Sequence, residues 1–181
     1  MLKQRKDSNS RGALLVILAL AVFVGAGAGD RQVASGQSGD EAAVREALLK
    51  SASSFAQNDM ATAAQVWAND ESLTVFESGH ANYGWADYRD NHLGPEMREM
   101  KNTAYAFSDI KIHLADKTAW ATFKYTIAAD VTENGKVRHV DGGGLGTAIL
   151  EQREGHWRIV HWHSSAPRRA PAAAAQPSPK G

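Results

Sequence analysis

The chain has 181 residues, 20 basic and 20 acidic side chains, and no cysteine. This length is typical of a single domain. No nucleic-acid partner is expected, because the charge is balanced and no basic stripe is available to neutralise phosphates. Since cysteine is absent, the chain can form neither a disulfide nor a thiolate metal site.

Residues 1–28 have the pattern of a secretory signal peptide. Basic residues precede an unbroken apolar run over 13–24, and Ala26-Gly27-Ala28 then fits a small-residue cleavage site. An uncleaved N-terminal anchor is the alternative, although the apolar stretch is marginal in length for a spanning helix. We therefore expect an exported protein, periplasmic or secreted, that contacts a membrane only if this segment is retained.

A single folded domain is expected over residues 40–165. The segment 29–39 consists of glycine, serine, glutamine and charged residues, which predicts a flexible linker. The segment 166–181 is rich in proline and alanine and has no apolar period, so we expect a disordered tail.

Helical patterns occupy the first half of this domain. Val44, Leu48, Ala52 and Phe55 recur at four- and three-residue steps, which predicts one buried helix face. Asp59 is placed to cap a following helix. In chain order we expect a helix over 40–57, a helix over 60–68, a short strand over 73–78, and a helix over 83–93 that ends at Gly94-Pro95.

The second half of the domain has the alternation of β-strands. The predicted strands span 105–114, 119–128, 137–151 and 156–164. Asn134-Gly135 is the strongest hairpin signal in the chain. The glycine run over 142–146 is followed by a strand pattern, so we reject a phosphate loop and expect a bulge, a bend or a close backbone approach. Helices followed by a strand meander predict an α+β fold, with the helices packed on one face of a curved sheet.

The last strand contains the most informative pattern. His161 and His163 lie two residues apart, so a regular strand would place both side chains on one face. Trp157 has the same parity, and this face therefore has the character of a pocket wall. Trp162 has the opposite parity and is expected on the outer face, where a partner subunit would cover it, or else under a helix.

The order of elements resembles the nuclear-transport-factor-2-like (NTF2-like) superfamily, which includes SnoaL-like and ketosteroid-isomerase-like branches. The stretch 155–164, Gly-His-Trp-Arg-Ile-Val-His-Trp-His-Ser, is similar to the end of the association (hub) domain of calcium/calmodulin-dependent protein kinase II. Phe76-Glu77, followed by a helix with Tyr88 and Asn91, and the step Asp141-Gly142-Gly143 add to this likeness. The resemblance implies a cone-shaped, curved antiparallel sheet with the N-terminal helices packed over it.

The resemblance also implies an apolar pocket and self-association as a homodimer or a larger oligomer. One position departs from the hub domain, whose cavity-facing arginine is replaced here by Ala148. An anion-binding role is therefore not implied. The residues expected to line a ligand pocket are Trp67, Phe76, Tyr88, His92, Phe123, Tyr125 and Trp157.

A polar end of this pocket is expected to contain Glu77, His92, His161 and His163. Three imidazoles and one carboxylate would suit a divalent metal such as Zn, Cu or Fe. The alternative is a buried polar network without metal, in which the histidines bond to neighbouring side chains. An acid–base site is a further interpretation, with His161, His163 and Glu77 as catalytic groups and Tyr88 or Tyr125 as a donor to an oxyanion.

Three hypotheses for the function follow. The first is an exported protein that binds a small molecule in an apolar, cone-shaped pocket, as a dimer or larger oligomer. The second is an enzyme with isomerase-, lyase- or hydrolase-type chemistry, acid–base or metal-assisted, at the histidine–glutamate cluster. The third is an oligomeric scaffold like the kinase association domain.

Overall fold

The computed structural model describes residues 28–133 and 135–167, and the side chains of 37–132 and 135–167. The predicted signal peptide lies almost entirely outside this range, as does the predicted tail beyond Pro167. Among the helices in the described part, none is both long and apolar enough to cross a membrane.

The first helix, α1, spans Ala28–Ala56, and its predicted apolar face is buried. The helix begins well before Asp40, so the segment predicted as a linker is helical and that prediction is wrong. Extending an existing helix adds a backbone hydrogen bond per residue without a new nucleation step. A polar segment that contains glycine can therefore continue a helix that is already held by packing.

The second helix, α2, spans Met60–Val66 and is capped as predicted. The Asp59 carboxylate accepts a hydrogen bond from the Thr62 backbone N–H at 3.0 Å and one from the Thr62 hydroxyl at 2.6 Å. These bonds satisfy one of the N–H groups left without a partner at the start of a helix.

The third helical segment continues past the proline at which it was predicted to end. Helix α3 spans Trp85–Tyr88, a π-helical turn spans Arg89–Leu93, and α4 spans Gly94–Glu99. The Gly94 N–H bonds to the Arg89 carbonyl, five residues back, and this wider turn accommodates Pro95, which has no N–H to donate. The helical segment therefore continues to Glu99, directly before the edge strand that begins at Met100.

A six-stranded sheet has the order β2-β1-β6-β5-β4-β3, and all pairs are antiparallel except β1 with β6. The strands are β1 Thr74–Glu77, β2 His80–Tyr83, β3 Met100–Ala115, β4 Thr118–Glu133, β5 Lys136–Arg153 and β6 His156–Ser165. Strand β2 was not predicted from the sequence. The predicted hairpin at Asn134-Gly135 is confirmed by the pairing of Glu133 with Lys136.

Strand β6 contains a bulge that reverses the predicted faces of its second half. Ile149 pairs with His161 and Leu150 pairs with Ile159, which leaves Val160 as an extra residue. Ile159 and Val160 are both buried, and the alternation changes phase after them. Trp162 therefore faces the interior with 3% exposure and packs on Trp67 at the end of α2, which contradicts the outer-face alternative and agrees with the alternative under a helix.

The glycine run of β5 serves close approach rather than a bulge, since its register with β4 is unbroken. A Cβ atom on Gly144 would collide with the Ser165 backbone carbonyl and lie 2.8 Å from the Tyr125 hydroxyl. A Cβ atom on Gly146 would collide with the Phe123 ring. These glycines allow β6 and the interior aromatic side chains to pack tightly on β5.

Candidate functional site

A cavity of about 200 Å³ lies between the helices and the inner face of the sheet. Every layer of the fold contributes to its wall, which is mainly apolar. The lining residues are Ser51, Phe55, Trp67, Glu77, Tyr88, Leu93, Glu96, Met100, Tyr105, Tyr125, Ile127 and Trp162.

The aromatic part of this wall is held by contacts between rings. The Trp67 ring lies 4.9 Å from Tyr88 and 5.4 Å from Trp162, measured between centroids. Tyr105 contacts Tyr125 at 6.0 Å on the neighbouring strand. Tilted and edge-to-face rings at these separations attract one another beyond their apolar burial. The wall is therefore preformed rather than assembled by a ligand.

Glu77 is the carboxylate that reaches the cavity from the end of β1. Burial raises the pKa of Glu77, and the nearby Glu96 carboxylate raises it further, while His92 acts in the opposite direction. Ser164 is the neighbour of Glu77 across the β1–β6 ladder and lowers the same pKa. The Ser164 hydroxyl is buried and has no well-formed hydrogen bond within the described part of the chain.

His92 lies between two carboxylates. Its Nε2 atom is 3.4 Å from Glu96 Oε1 and 3.9 Å from Glu77 Oε2. Its Nδ1 atom is 2.7 Å from Asn82 Oδ1, and Asn82 in turn donates to Asp87 at 3.1 Å. The hydrogen bond with Glu96 raises the pKa of His92, although burial opposes the shift. We refer to Glu77, His92 and Glu96 as the polar end of the cavity.

The other two predicted histidines lie on the outer face of the sheet. His161 Nδ1 is 2.7 Å from Thr74 Oγ1, and the His161 ring packs edge-on against Phe76 at 5.3 Å. Burial lowers the pKa of His161, and the neighbouring His163 lowers it further. The bulge at Val160 is the cause of this placement, because it turns both imidazoles away from the interior.

The predicted metal set is therefore not assembled. Glu77 and His92 meet at the polar end, whereas His161 and His163 lie on the opposite side of the sheet. Within 28–133 and 135–167, no group of three or more histidine and carboxylate side chains is placed to hold a metal ion. The same geometry removes His161 and His163 from any catalytic cluster with Glu77.

The predicted pocket residues divide into two groups. Trp67, Tyr88 and Tyr125 line the cavity, His92 stands at its polar end, and the buried Phe123 ring supports Trp162 at a distance of 5.0 Å. The other two do not reach it. Phe76 is on the outer face with 36% exposure, and Trp157 lies elsewhere, with its Nε1 atom 3.3 Å from Asp40 Oδ1.

Glu96 and Trp162 are the important lining residues that sequence reasoning missed. Glu96 was overlooked because the helix was expected to end at Gly94-Pro95. Once the helix continues, Glu96 follows His92 by four residues, a spacing that brings two helical side chains together. The sequence leaves the face of Trp162 open, because the bulge in β6 has no glycine or proline to mark it.

The curved sheet with helices packed over one face defines an NTF2-like fold, and solved structures support this assignment. An NTF2-like superfamily protein from Salmonella enterica subsp. enterica serovar Typhimurium str. LT2 matches with a TM-score of 0.64 and 19% identity, over 78% of this chain and 99% of that one. A putative dehydratase from the NTF2-like family of Streptomyces avermitilis matches with a TM-score of 0.64 and 12% identity, over 72% and 97%. The predicted α+β cone is thus confirmed.

The resemblance to the kinase association domain is also confirmed at the level of the fold. A putative calcium/calmodulin-dependent protein kinase II association domain from Xanthomonas campestris matches with a TM-score of 0.51 and 22% identity, over 77% of this chain and 89% of that one. Residues 44–169 match the family model of the SnoaL-like domain, and the chain belongs to this family. No curated protein matches significantly.

Proposed function

We propose that this SnoaL-like domain binds a small, mostly apolar molecule in its interior cavity, with a polar group of the ligand directed at Glu77. The observation that carries the proposal is the combination of an aromatic wall with a partly buried carboxylate, whose side chain is 28% exposed. Binding pockets typically pair apolar walls with a few convergent polar groups.

Two features of the polar end support a ligand rather than a purely structural role. A partly buried carboxylate costs free energy unless it is paired, and in the described part of the chain the basic side chain near Glu77, His92, is shared with Glu96. The Ser164 hydroxyl beside it has no well-formed hydrogen bond in the described part of the chain. A ligand hydroxyl or N–H would satisfy both groups, which is the expected behaviour of a binding site held ready for its partner.

Benzyl alcohol is a suitable probe, because it has one ring for the aromatic wall and one hydroxyl for Glu77. We expect the indole N–H resonances of Trp67 and Trp162 to shift in an NMR titration of the protein with benzyl alcohol. Ile127→Trp should abolish the shifts, since Ile127 lines the cavity and the larger side chain fills it. Thr126→Val is the matched control, because the adjacent Thr126 faces outward. Saturable shifts that persist in Ile127→Trp would refute binding in the cavity.

Proton transfer on a bound compound is the second candidate function. The raised pKa of Glu77 favours it, because a carboxyl that titrates closer to neutral pH exchanges protons more readily at that pH. One of the structural neighbours is named as a putative dehydratase. Isomerisation of cyclohex-3-enone to its conjugated isomer, followed by ultraviolet absorbance, tests this activity. A rate that is equal in the protein and in Glu77→Gln would refute it.

Self-association and export remain parts of this proposal. The outer sheet face carries exposed apolar side chains, including Trp120 at 44% and Leu145 at 61%, which a second copy would cover. Leu145→Asp should then lower the mass found by light scattering, and an unchanged oligomer would exclude this face as the interface.

Mass spectrometry of the N-terminus after cell fractionation would distinguish a cleaved, exported protein from an anchored one. If the protein self-associates but binds no small molecule, the scaffold hypothesis is supported instead.

A further inference from the structure

The charged side chains of the cavity wall are acidic. Glu77 and Glu96 line it, and the described lining residues contain neither lysine nor arginine. The basic side chain near these carboxylates is His92, whose Nε2 atom lies 3.4 Å from Glu96 and 3.9 Å from Glu77. With both carboxylates ionised, a protonated His92 still leaves a net charge of −1 at the polar end. An anionic ligand would be repelled, whereas a cationic ligand would neutralise the site.

The negative field of Glu77 extends through the cavity. The pKa values of Tyr88, Tyr105 and Tyr125 are all raised, first by burial and then by the Glu77 charge. Tyr88 comes from a helix, whereas Tyr105 and Tyr125 come from the neighbouring strands β3 and β4. The charge of Glu77 therefore reaches three of the tyrosines that line the cavity, in addition to its immediate neighbours.

The wall chemistry favours the same kind of ligand. Half of the lining residues are aromatic, namely Phe55, Trp67, Tyr88, Tyr105, Tyr125 and Trp162. Aromatic faces attract cations through the ring quadrupole, and aromatic cages are a recurrent solution for quaternary ammonium groups. Alkylated ammonium groups are positive at the centre and apolar at the surface, so they match a wall that is both aromatic and acidic.

Among the described residues, the strands contribute no lysine or arginine to the cavity wall that would reverse this preference. Ala148, at the position where an arginine stands in the hub domain, is fully buried against its neighbours and carries no charge. The buried Ser164 hydroxyl, which has no well-formed hydrogen bond in the described part of the chain, adds a neutral polar group next to Glu77. A cation that also carries a hydroxyl or an N–H would therefore use both features.

We propose that the cavity selects a small organic cation, an alkylated amine or quaternary ammonium compound, with its charge held between Glu77, Glu96 and the aromatic rings. This inference rests on the proposed function, because it names the ligand class for the same cavity. The size agrees with a compact ligand: a cavity of about 150 Å³ accepts benzene, and this one measures about 200 Å³. A trimethylammonium group with a short chain is of the appropriate size.

Choline and 3,3-dimethylbutan-1-ol form a matched pair of probes, since they share shape and hydroxyl and differ in one positive charge. Isothermal titration at neutral pH should give a dissociation constant for choline at least tenfold lower than that for the alcohol. Glu96→Gln and Glu77→Gln should each bring the dissociation constants of choline and the alcohol closer to each other, because each variant removes one negative charge from the polar end. The ratio of the two constants is therefore the quantity to compare between variants. Glu99→Gln is the control, since Glu99 is an exposed glutamate on the same helix as Glu96.

The outcomes separate this inference from the function on which it rests. If the alcohol binds as tightly as choline, or if the Glu variants leave the ratio unchanged, the cation proposal is overturned while small-molecule binding stands. If neither choline nor its analogue binds but benzyl alcohol does, the cation proposal is likewise overturned. If no probe binds, the binding function itself fails.

Discussion

Replacement of Gly144 by alanine should destabilise the domain by forcing two strands apart. The new Cβ atom would lie well inside van der Waals contact with the Ser165 carbonyl oxygen and only 2.9 Å from the Ser165 carbonyl carbon. Ordinary contacts between carbon atoms lie at roughly 3.5–4.0 Å. The obstacle is backbone, so it cannot be relieved by rotation of a side chain, and β5 and β6 must separate locally.

The magnitude follows from where this contact lies. Overpacking typically costs about 1–3 kcal/mol, and Ser165 is the last residue of β6, so some of the strain can be relieved at the strand end. We therefore expect a loss of about 2 kcal/mol in the free energy of unfolding. With a urea m-value of about 2 kcal/mol/M, the midpoint of urea denaturation should fall by about 1 M.

Gly142→Ala is the matched control in the same strand, because its Cβ would have no heavy atom within 4 Å. It should be neutral or stabilise the protein by about 0.4–1 kcal/mol, since alanine restricts the unfolded chain. Gly144→Ala should also weaken binding of benzyl alcohol, because its Cβ would lie 2.8 Å from the hydroxyl of the cavity residue Tyr125. Equal urea midpoints for the two variants would refute the close-approach explanation of this glycine run.

Three other predictions follow from the polar end and from the bulge. Glu96→Gln should lower the pKa of His92 in an NMR titration, because the hydrogen bond to Glu96 is the main cause of its raised value. Because the pKa of His92 is raised on folding, its contribution to stability is fully present below a pH of about 6.5 and is lost as the pH rises through the folded-state pKa. If Glu96→Gln and the unsubstituted protein showed the same pH dependence of the free energy of unfolding, the His92–Glu96 pairing would be contradicted. His161→Ala with His163→Ala should leave benzyl alcohol binding intact, since both imidazoles face away from the cavity; loss of binding in a folded double variant would refute that placement. Trp162→Asp should unfold the protein, as measured by circular dichroism, because a carboxylate would be buried among aromatic rings. A variant that stays folded but dissociates into smaller oligomers would instead favour a Trp162 on the outer face.

Much of the fold was predictable from the sequence because its signals are local. The face Val44–Phe55 has helical spacing, Asp59 provides a cap, and Asn134-Gly135 specifies a tight hairpin, and each of these features is present. The fit of these elements into one α+β cone was also predictable, because helices followed by long alternating strands have few ways to bury one core.

The composition of the site was less predictable, since it depends on irregularities that leave weak local signals. The extra residue Val160 is an ordinary strand former, so nothing in the sequence announced the bulge that exchanges His161 for Trp162 on the inner face. A proline such as Pro95 usually indicates the end of a helix. The π turn that accommodates it depends on a hydrogen bond from the Gly94 N–H to the carbonyl of Arg89, five residues earlier in the chain. The position of Glu96 in the site therefore depends on this backbone irregularity, and no sequence motif indicates it.

A crystal structure of the protein with bound benzyl alcohol would show directly whether the interior cavity is the binding site. We expect the benzyl ring inside the cavity, against the Trp67 and Trp162 side chains that line it, with the hydroxyl within hydrogen-bonding distance of Glu77 or Ser164. Density for the probe on the outer face beside His161 and His163, with an empty interior, would contradict it.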